Sequence, residues 1–271
     1  MFERIDIGIK TFLRDSQLFN SIDGIQRNYP GARMIIADCG DLTEEKDSFY
    51  AQITREGHIV LDLPFDAGFG VMSNAIAAAS TRPYLLIASD DFEFNEKAAS
   101  GLLQLQSVLD ICDDVDIASG RVGNRFYEFF LDIAIQKDGT HIKELPAKYV
   151  WTPENPPWYT DCDLTVNYCL VRREVFDRIK WDNDVKIGGG EHGSWFYDCK
   201  LAGFKTVRVL GVNINEQQIR NSQRYQKYRN RAQDAARPCF DKRGITEYVL
   251  GDGRVDYRGS SENKNKESIR S

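Results

Sequence analysis

The chain has 271 residues and a formal charge of −6 at pH 7, with 42% hydrophobic and 28% charged residues. These values are typical of a soluble globular protein with one large domain. The negative charge argues against binding to nucleic acid, which favours a basic face. No apolar run approaches the roughly 20 residues of a membrane span, and the first residues do not form a secretory signal. We therefore expect a cytoplasmic protein.

The first hundred residues alternate short apolar runs with amphipathic stretches. Four apolar runs bounded by turn residues predict strands at 5–11, 34–37, 58–61 and 84–88. The stretches that follow them predict helices at 15–29, 43–55, 72–79 and 95–109, the first of them capped by Asp15 or Ser16. This order predicts an α/β fold of Rossmann type, with a mostly parallel central sheet and helices on both faces.

The second half is less regular. Strands are predicted at 116–121, 126–134, 165–171 and 206–212, and a helix at 194–201. Between them, residues 137–160 form a long proline- and tryptophan-bearing loop that we interpret as functional. We expect a catalytic domain over 1–215 and a helical extension over 216–251, whose part at 216–237 has a net charge of +4. A flexible tail over 252–271 is predicted from its Gly, Ser and Asn content.

Carboxylates follow two of the predicted parallel strands. Asp38 ends the second strand, and Asp90 and Asp91 follow the fourth. Ligands of such sheets bind beyond the carboxyl ends of the strands, and Mg²⁺ and Mn²⁺ prefer oxygen ligands. The alternatives are ordinary: Asp90 and Asp91 could cap a helix, and Asp38 could form a turn before Gly40.

Several short motifs, in their order and spacing, resemble a known family: KTFLR at 10–14, IIAD at 35–38, SDDF at 89–92 and GEH at 190–192. They resemble inverting nucleotide-sugar glycosyltransferases of the GT-A fold, in particular the family that includes the ganglioside N-acetylgalactosaminyltransferases. The likeness extends over about residues 5–232, and each block alone would be weak.

The resemblance implies roles for individual residues. Thr11 and Asp38 would hold the base and ribose of a UDP-linked donor, and Asp90 would touch sugar or ribose. Asp91 would bind Mn²⁺ or Mg²⁺ on the diphosphate, because the leaving group carries negative charge. Glu191 would take the proton of the acceptor hydroxyl as general base. Further donor-binding candidates are Ser73 and Asn74.

The sequence departs from the family pattern around the metal. Ser89 stands where the family's metal motif begins with Asp, and Asn213 to Asn215 lie where a His is usual. Ser73 likewise stands where relatives often have Arg. A third metal ligand is therefore left open, with Asn215 or Glu216 as substitutes.

The acceptor would lie near aromatic and polar side chains of the second half. Candidates for the acceptor site or a lid are Trp158, Tyr159, Asn167, His192 and Trp195. For each aromatic residue, core packing is the common alternative. The basic segment has three interpretations: a solvated surface, closure over the diphosphate, or contact with an anionic membrane that carries a lipid-linked acceptor.

Together these observations predict a metal-dependent inverting glycosyltransferase that acts on a glycan or lipid-linked acceptor. One alternative is a sugar-1-phosphate nucleotidyltransferase, although residues 10–14 lack the glycines that such an enzyme wants after its first strand. The other alternative is a non-catalytic sugar-binding module on the same fold.

Overall fold

The computed structural model describes residues 1–147, 158–186, 191–231 and 237–259, with residue 191 described by its backbone alone. Its first half contains the strands β1 (Ile5–Thr11), β2 (Arg33–Asp38), β3 (Ile59–Asp62) and β4 (Tyr84–Ser89). The helices between and after them are α1 (Asp15–Asn28), α2 (Glu44–Arg55), α3 (Phe69–Ala79) and α4 (Glu96–Ile111). Each strand and helix predicted for this half is present, with ends that differ by a few residues.

Side-chain caps begin two of these helices. Thr43 accepts a hydrogen bond from the Lys46 amide at the start of α2, and Asn95 accepts one from the Ala98 amide at the start of α4. Helix α1 differs, because Arg14 occupies its N-cap position and makes no side-chain cap bond. The prediction that Asp15 or Ser16 caps this helix is therefore wrong.

The second half adds eight strands and four short helices to the described part of the chain. The strands are β5 (Ile117–Val122), β6 (Phe129–Gln136), β7 (Gly139–Pro146), β8 (Tyr159–Cys162), β9 (Cys169–Arg172), β10 (Thr206–Ile214), β11 (Ile245–Val249) and β12 (Val255–Arg258). The helices are α5 (Val175–Arg178), α6 (Glu191–Leu201), α7 (Gln223–Arg229) and α8 (Arg237–Asp241). Among the described residues, no helix is long and apolar enough to cross a membrane.

The main sheet has eight strands in the order β3-β2-β1-β4-β9-β5-β10-β8. Its neighbours pair in parallel except at β9 and β8, which run antiparallel. Alternate residues of each strand face opposite sides, so Ile36 of β2 packs in one core with α1 and α4, and Ile35 packs in another with α3 and α6. The α/β fold with helices on both faces of a mostly parallel sheet is thus confirmed.

A second sheet of four strands, in the order β12-β11-β7-β6, corrects the prediction for the rest of the chain. Strand β7 lies inside the predicted loop 137–160, and β11 and β12 lie in the predicted helical extension and tail. The apolar pattern of β7 is weak, because Ile142 is the buried apolar residue between polar neighbours. Residues 148–157 and 260–271 of the predicted loop and tail lie outside the described residues.

Candidate active site

The carboxyl ends of β1, β2 and β4 lie side by side at one rim of the main sheet. Thr11 pairs in register with Asp38, and Lys10 pairs with Ser89. Thr11 and Asp38 are buried, and the Asp90 side chain is 0% exposed. The strand order therefore brings together the carboxylates that follow separate strands, as the parallel topology predicts.

The guanidinium of Arg14 joins the two carboxylates that follow β4. Its Nε donates to Asp90 Oδ2 at 3.2 Å, and its Nη2 donates to the other oxygen of the same carboxylate. Its Nη1 donates to Asp91 Oδ2 at 2.6 Å, and its Nη2 also reaches Ser89 Oγ at 3.3 Å. The Arg14 guanidinium carbon lies 4.8 Å from the ring centre of Tyr225. A cation of the chain itself thus pairs with both carboxylates, including Asp91, to which the family resemblance assigns the metal.

The backbone before Arg14 is strained. Leu13 has a φ of 54°, a conformation that a bulky L residue rarely adopts. Such strain costs on the order of 1–3 kcal/mol and persists where the surroundings fix it. The strained residue directly precedes the N-cap residue Arg14, whose side chain turns back to the carboxylates after β4.

Both carboxylate oxygens of Asp38 accept hydrogen bonds from other residues of the chain. Oδ1 accepts from the Gly40 amide at 2.8 Å, which is the turn that the sequence offers as the ordinary alternative. Oδ2 accepts from the Tyr50 hydroxyl at 2.7 Å and lies 2.8 Å from Lys46 Nζ. The Lys46 side chain is 0% exposed and also pairs with Asp15 at 2.7 Å.

Burial and neighbouring charges both shift the pKa values of these groups. Burial raises the pKa of Asp90 to about 6, an increase that Arg14 opposes and Asp91 reinforces. Burial also raises the pKa of the Tyr50 hydroxyl, to which Asp38 adds. For Arg14, the attraction of Asp90 and Asp91 outweighs the effect of burial and raises the pKa of the guanidinium. Arg14 is therefore a permanent cation at this rim.

Residues 215–231, called the rim segment below, cross the carboxyl end of the sheet. The amide of Gln217 donates to the Asp91 carbonyl at 2.7 Å, and the amide of Glu93 donates to the Asn215 carbonyl at 2.9 Å. The Gln217 side chain continues this contact by donating to the Ser21 hydroxyl at 2.9 Å. The segment thus begins its crossing directly beside the carboxylates after β4.

The far part of the rim segment is fixed beyond β2 and β3. Arg224 forms an ion pair with Asp41, and Arg231 pairs with Asp66 at 2.8 Å. Tyr228 packs with its ring centre 5.1 Å from that of Phe12. These contacts place the basic segment across the rim and give no support to a membrane surface; closure over the diphosphate stays a prediction. Only residues 223–229 of this segment are α-helical.

The described side chains do not assemble a site for a divalent metal. No group of three or more His, Cys, Asp or Glu among them could hold one. The Arg14 guanidinium lies 2.6 Å from Asp91, where it would repel a second cation. Glu216, one of the two predicted substitute ligands, pairs with Arg125 at 2.7 Å. The arrangement therefore does not fit the Mn²⁺ or Mg²⁺ predicted at Asp91.

Two predicted donor contacts, Ser73 and Asn74, lie on helix α3. Asn74 donates to the Trp181 carbonyl at 2.8 Å and to Asn183 at 2.8 Å, and it accepts from the Trp181 amide at 2.9 Å. Its amide therefore holds the segment after α5 on helix α3 instead of facing a donor. Ser73 is buried beside Gly8 on the inner face of the same helix.

The aromatic candidates have separate positions. Trp195 is 2% exposed and stacks on Trp181 with ring centres 4.6 Å apart, so it is a core residue and not a platform for a sugar. Lys205 Nζ lies 5.8 Å from the ring centre of Tyr159, which places that ring toward the amino end of β10 and away from the rim. Trp158 is 67% exposed at the edge of the main sheet and stays a candidate for acceptor binding.

Of the three remaining candidates, two lie at the start of α6 and one lies just before β9. His192 is half-buried in the first turn of this helix, and Asn167 is half-buried before β9. Glu191 is the first residue of α6, and its side chain lies outside the described residues. Lys186 donates to the carbonyls of Asp66 at 2.8 Å and Ala67 at 3.0 Å. The chain therefore passes the rim beyond β3 five residues before Glu191.

Sequence reasoning missed Arg14 and Tyr225. Arg14 stands inside the KTFLR motif, yet nothing local shows that its side chain folds back onto residues 76 and 77 positions later. The sequence does offer one signal for this contact: Arg14 stands just before a predicted helix, and the carboxylates of Asp90 and Asp91 need a positive partner. Tyr225 gave no signal, because it lies in a polar segment.

The chain was compared with known proteins. No family model matches it. It is 25% identical over 218 residues to the mouse beta-1,4 N-acetylgalactosaminyltransferase 2, an alignment that covers 79% of this chain and 39% of that protein. The chain thus spans well under half the length of this relative.

Solved structures give a second comparison. GalNAc-T7 with UDP, GalNAc and Mn²⁺ matches with a TM-score of 0.60 and 12% identity, over 88% of this chain and 47% of that one. The mannosyltransferase PcManGT from Pyrobaculum calidifontis, in complex with GDP-Man and Mn²⁺, matches with a TM-score of 0.55 and 12% identity, over 88% and 63%. This chain has the GT-A fold. The predicted GT-A resemblance is confirmed, and both comparisons lead to glycosyltransferases.

Proposed function

We propose that this GT-A chain transfers a sugar from a UDP-linked donor to an acceptor hydroxyl with inversion at the anomeric carbon. The observation that carries the proposal is the convergence of Thr11, Asp38, Asp90 and Asp91 at the carboxyl ends of three neighbouring strands. In open α/β sheets this rim is where ligands bind. The sequence similarity to an N-acetylgalactosaminyltransferase supports the same reaction class.

In the proposed reaction, the acceptor oxygen attacks the anomeric carbon from the face opposite the diphosphate. A new carbon–oxygen bond forms, the bond to the diphosphate oxygen breaks, and UDP leaves with that electron pair. The hydroxyl proton passes to the carboxylate of Glu191, the proposed general base. The reaction parallels glycoside hydrolysis by inversion, with a sugar hydroxyl in place of water.

The donor would lie along the rim. Thr11 and Asp38 would hold the base and ribose, and Asp90 and Asp91 would lie beside the diphosphate and sugar. The position of Lys186 beside the end of β3 supports an acceptor base on the following helix. The acceptor would be a glycan or lipid-linked hydroxyl, with Trp158 as the exposed aromatic candidate.

The metal requirement is a separate question. Mn²⁺ is present in the GalNAc-T7 and PcManGT structures. In this chain the Arg14 contacts do not fit a metal at Asp91, so no step of the proposed reaction is assigned to one. Parallel assays with Mn²⁺, with Mg²⁺ and with EDTA decide whether activity depends on a divalent ion.

A panel of nucleotide sugars tests the proposal: UDP-GalNAc, UDP-GlcNAc, UDP-galactose, UDP-glucose and GDP-mannose. We expect at least one UDP-sugar to raise the melting temperature, since a ligand that binds only the native state stabilises it. The same donor should release UDP slowly in water and faster with acceptor. Absence of both effects for every donor would contradict the proposal. Stabilisation without any turnover would favour the sugar-binding module.

A further inference from the structure

The two edges of the Arg14 guanidinium face different environments. The edge formed by Nε and Nη2 lies on Asp90, whose side chain is 0% exposed. Nη1 lies on Asp91, whose side chain retains 19% exposure. The Arg14 side chain itself is 5% exposed, so of its two carboxylate partners Asp91 is the one that a ligand from solvent meets first, while Asp90 stays enclosed.

The guanidinium is also held in place by its surroundings. Tyr225 covers it at 4.8 Å, and both oxygens of the buried Asp90 accept its hydrogen bonds. A preorganised guanidinium loses little freedom when it binds a planar or tetrahedral anion. Oxygens of a diphosphate are strong acceptors for its N–H groups and can replace a carboxylate that accepts a single bond.

We propose that Arg14 is a ligand of the donor diphosphate and exchanges its Asp91 contact for a phosphate oxygen when the donor binds. This inference rests on the proposed function. Nε and Nη2 stay on Asp90, which acts as the anchor of the guanidinium. Asp91 is released by the exchange and becomes free to accept from a hydroxyl of the transferred sugar. The chain's own cation then offsets part of the charge on the leaving UDP.

The test compares UDP with uridine, because the two ligands differ in the diphosphate alone. Calorimetric titrations use the full chain and are run in EDTA and again with Mn²⁺. We expect Arg14→Gln to weaken UDP binding by roughly 10- to 100-fold, the worth of charge-assisted hydrogen bonds, and to leave uridine binding unchanged. Arg14→Lys should retain part of the preference for UDP. Arg4→Gln, which removes an exposed ion pair to Asp110, is the matched control and should bind like the unaltered chain.

Loss of Arg14 leaves Asp90 buried without its partner and could unfold the chain. The double variant Arg14→Met with Asp90→Asn removes both charges, and it should show the same lowered ratio of UDP to uridine affinity. The comparison is made in the buffer in which the unaltered chain binds UDP. If the ratio of UDP to uridine affinity is the same in the variants as in the unaltered chain, Arg14 does not bind the diphosphate, and the proposed function still stands. Failure of the unaltered chain to bind UDP in either buffer overturns both.

Discussion

Arg14 and Lys46 are buried cations, and each is held by two carboxylates. Such pairs rarely add much net stability, because removing two charges from water costs about as much as their attraction returns. Deleting one partner is different, since it leaves an uncompensated charge. These ion pairs therefore hold the rim side chains in position more than they add to stability. Such fixed charges suit a binding site for a charged ligand.

At the same scale, Asp6 offers a stability test outside the candidate site. Its buried carboxylate accepts from Arg33 at 2.8 Å and from the Ser80 hydroxyl at 2.9 Å. Burial raises the pKa of Asp6, but these bonds and two backbone amides outweigh it and lower the pKa below 3.8. The ionised group therefore stabilises the fold in full above about pH 4, and this contribution is lost as the pH falls through the lowered pKa.

We expect Asp6→Asn to lower the free energy of unfolding by about 2–4 kcal/mol at pH 7. Urea titrations from pH 7 to pH 3 measure the free energy of unfolding. The difference in this free energy between the variant and the unaltered chain should narrow as the pH falls. Asp23→Asn, which removes an exposed carboxylate of α1, is the control and should change little. A gap that widens toward acid would contradict this account.

Glu191 carries the residue-level prediction for catalysis. Glu191→Gln keeps the size of the side chain and removes its basicity, so transfer should fall by roughly 10²–10⁴-fold while donor binding is retained. Transfer rates and UDP-sugar titrations on the same preparation measure both quantities. Glu45→Gln, at an exposed position of α2, serves as control. Full transfer by Glu191→Gln would show that another group acts as the base.

At the level of elements, the sequence predicts the first half well and the second half poorly. Strands β1 to β4 are apolar runs with turn residues at both ends, and α2 and α4 have side-chain caps. The second sheet lacks such local signals. Strand β7 pairs with β11 over a separation of about a hundred residues, as between Ile142 and Tyr248. Pairing between strands so far apart along the chain cannot be predicted from the local spacing of apolar residues.

The rim segment shows the same limit for the site. Its charge is visible in the sequence, but its course over the rim depends on partners far along the chain, such as Asp66 for Arg231. The metal prediction has the same limit, because the sequence motif shows the two carboxylates but not the Arg14 guanidinium that pairs with them. Local motifs thus predict which residues meet at the rim. They are a weaker guide to the ligand that these residues bind.

Tyr228 provides the prediction at this scale. Its ring packs against Phe12 and Phe65, so Tyr228→Ala should loosen the rim segment without unfolding the sheet. Limited trypsin digestion should then cut more rapidly after Lys227, because cleavage follows the population of locally opened chain. Tyr228→Phe keeps the ring and should be cut at the original rate. Equal rates for both variants would show that the ring does not hold the segment.

At the scale of the whole molecule, the two sheets share one core beneath α3 and α6. Ile142 of β7 and Tyr248 of β11 belong to the same apolar cluster as Trp195 and Met72. The second sheet is therefore part of the main fold and not an independent appendage. Its completion depends on the last described residues of the chain, because β11 lies between β7 and β12.

A truncation tests this dependence. A chain that ends at residue 242 lacks β11 and β12, which exposes one edge of β7 and part of the core. We expect it to aggregate, since unpaired strand edges and exposed apolar surface promote association. Light scattering after size-exclusion chromatography measures the outcome. A chain that ends at residue 259 keeps every described strand and should elute like the full chain; monomeric behaviour of the shorter one would contradict the prediction.

The parallel pairing of β7 with β11 also sets a delay during translation. Thr140 is synthesised about a hundred residues before its register partner Ile245. At rates of about 5–20 residues per second, the nascent hairpin of β6 and β7 waits on the order of 5–20 seconds for its neighbour. The second sheet therefore gains its β7–β11 pairing late, and until then the edge of β7 that β11 will cover is unpaired.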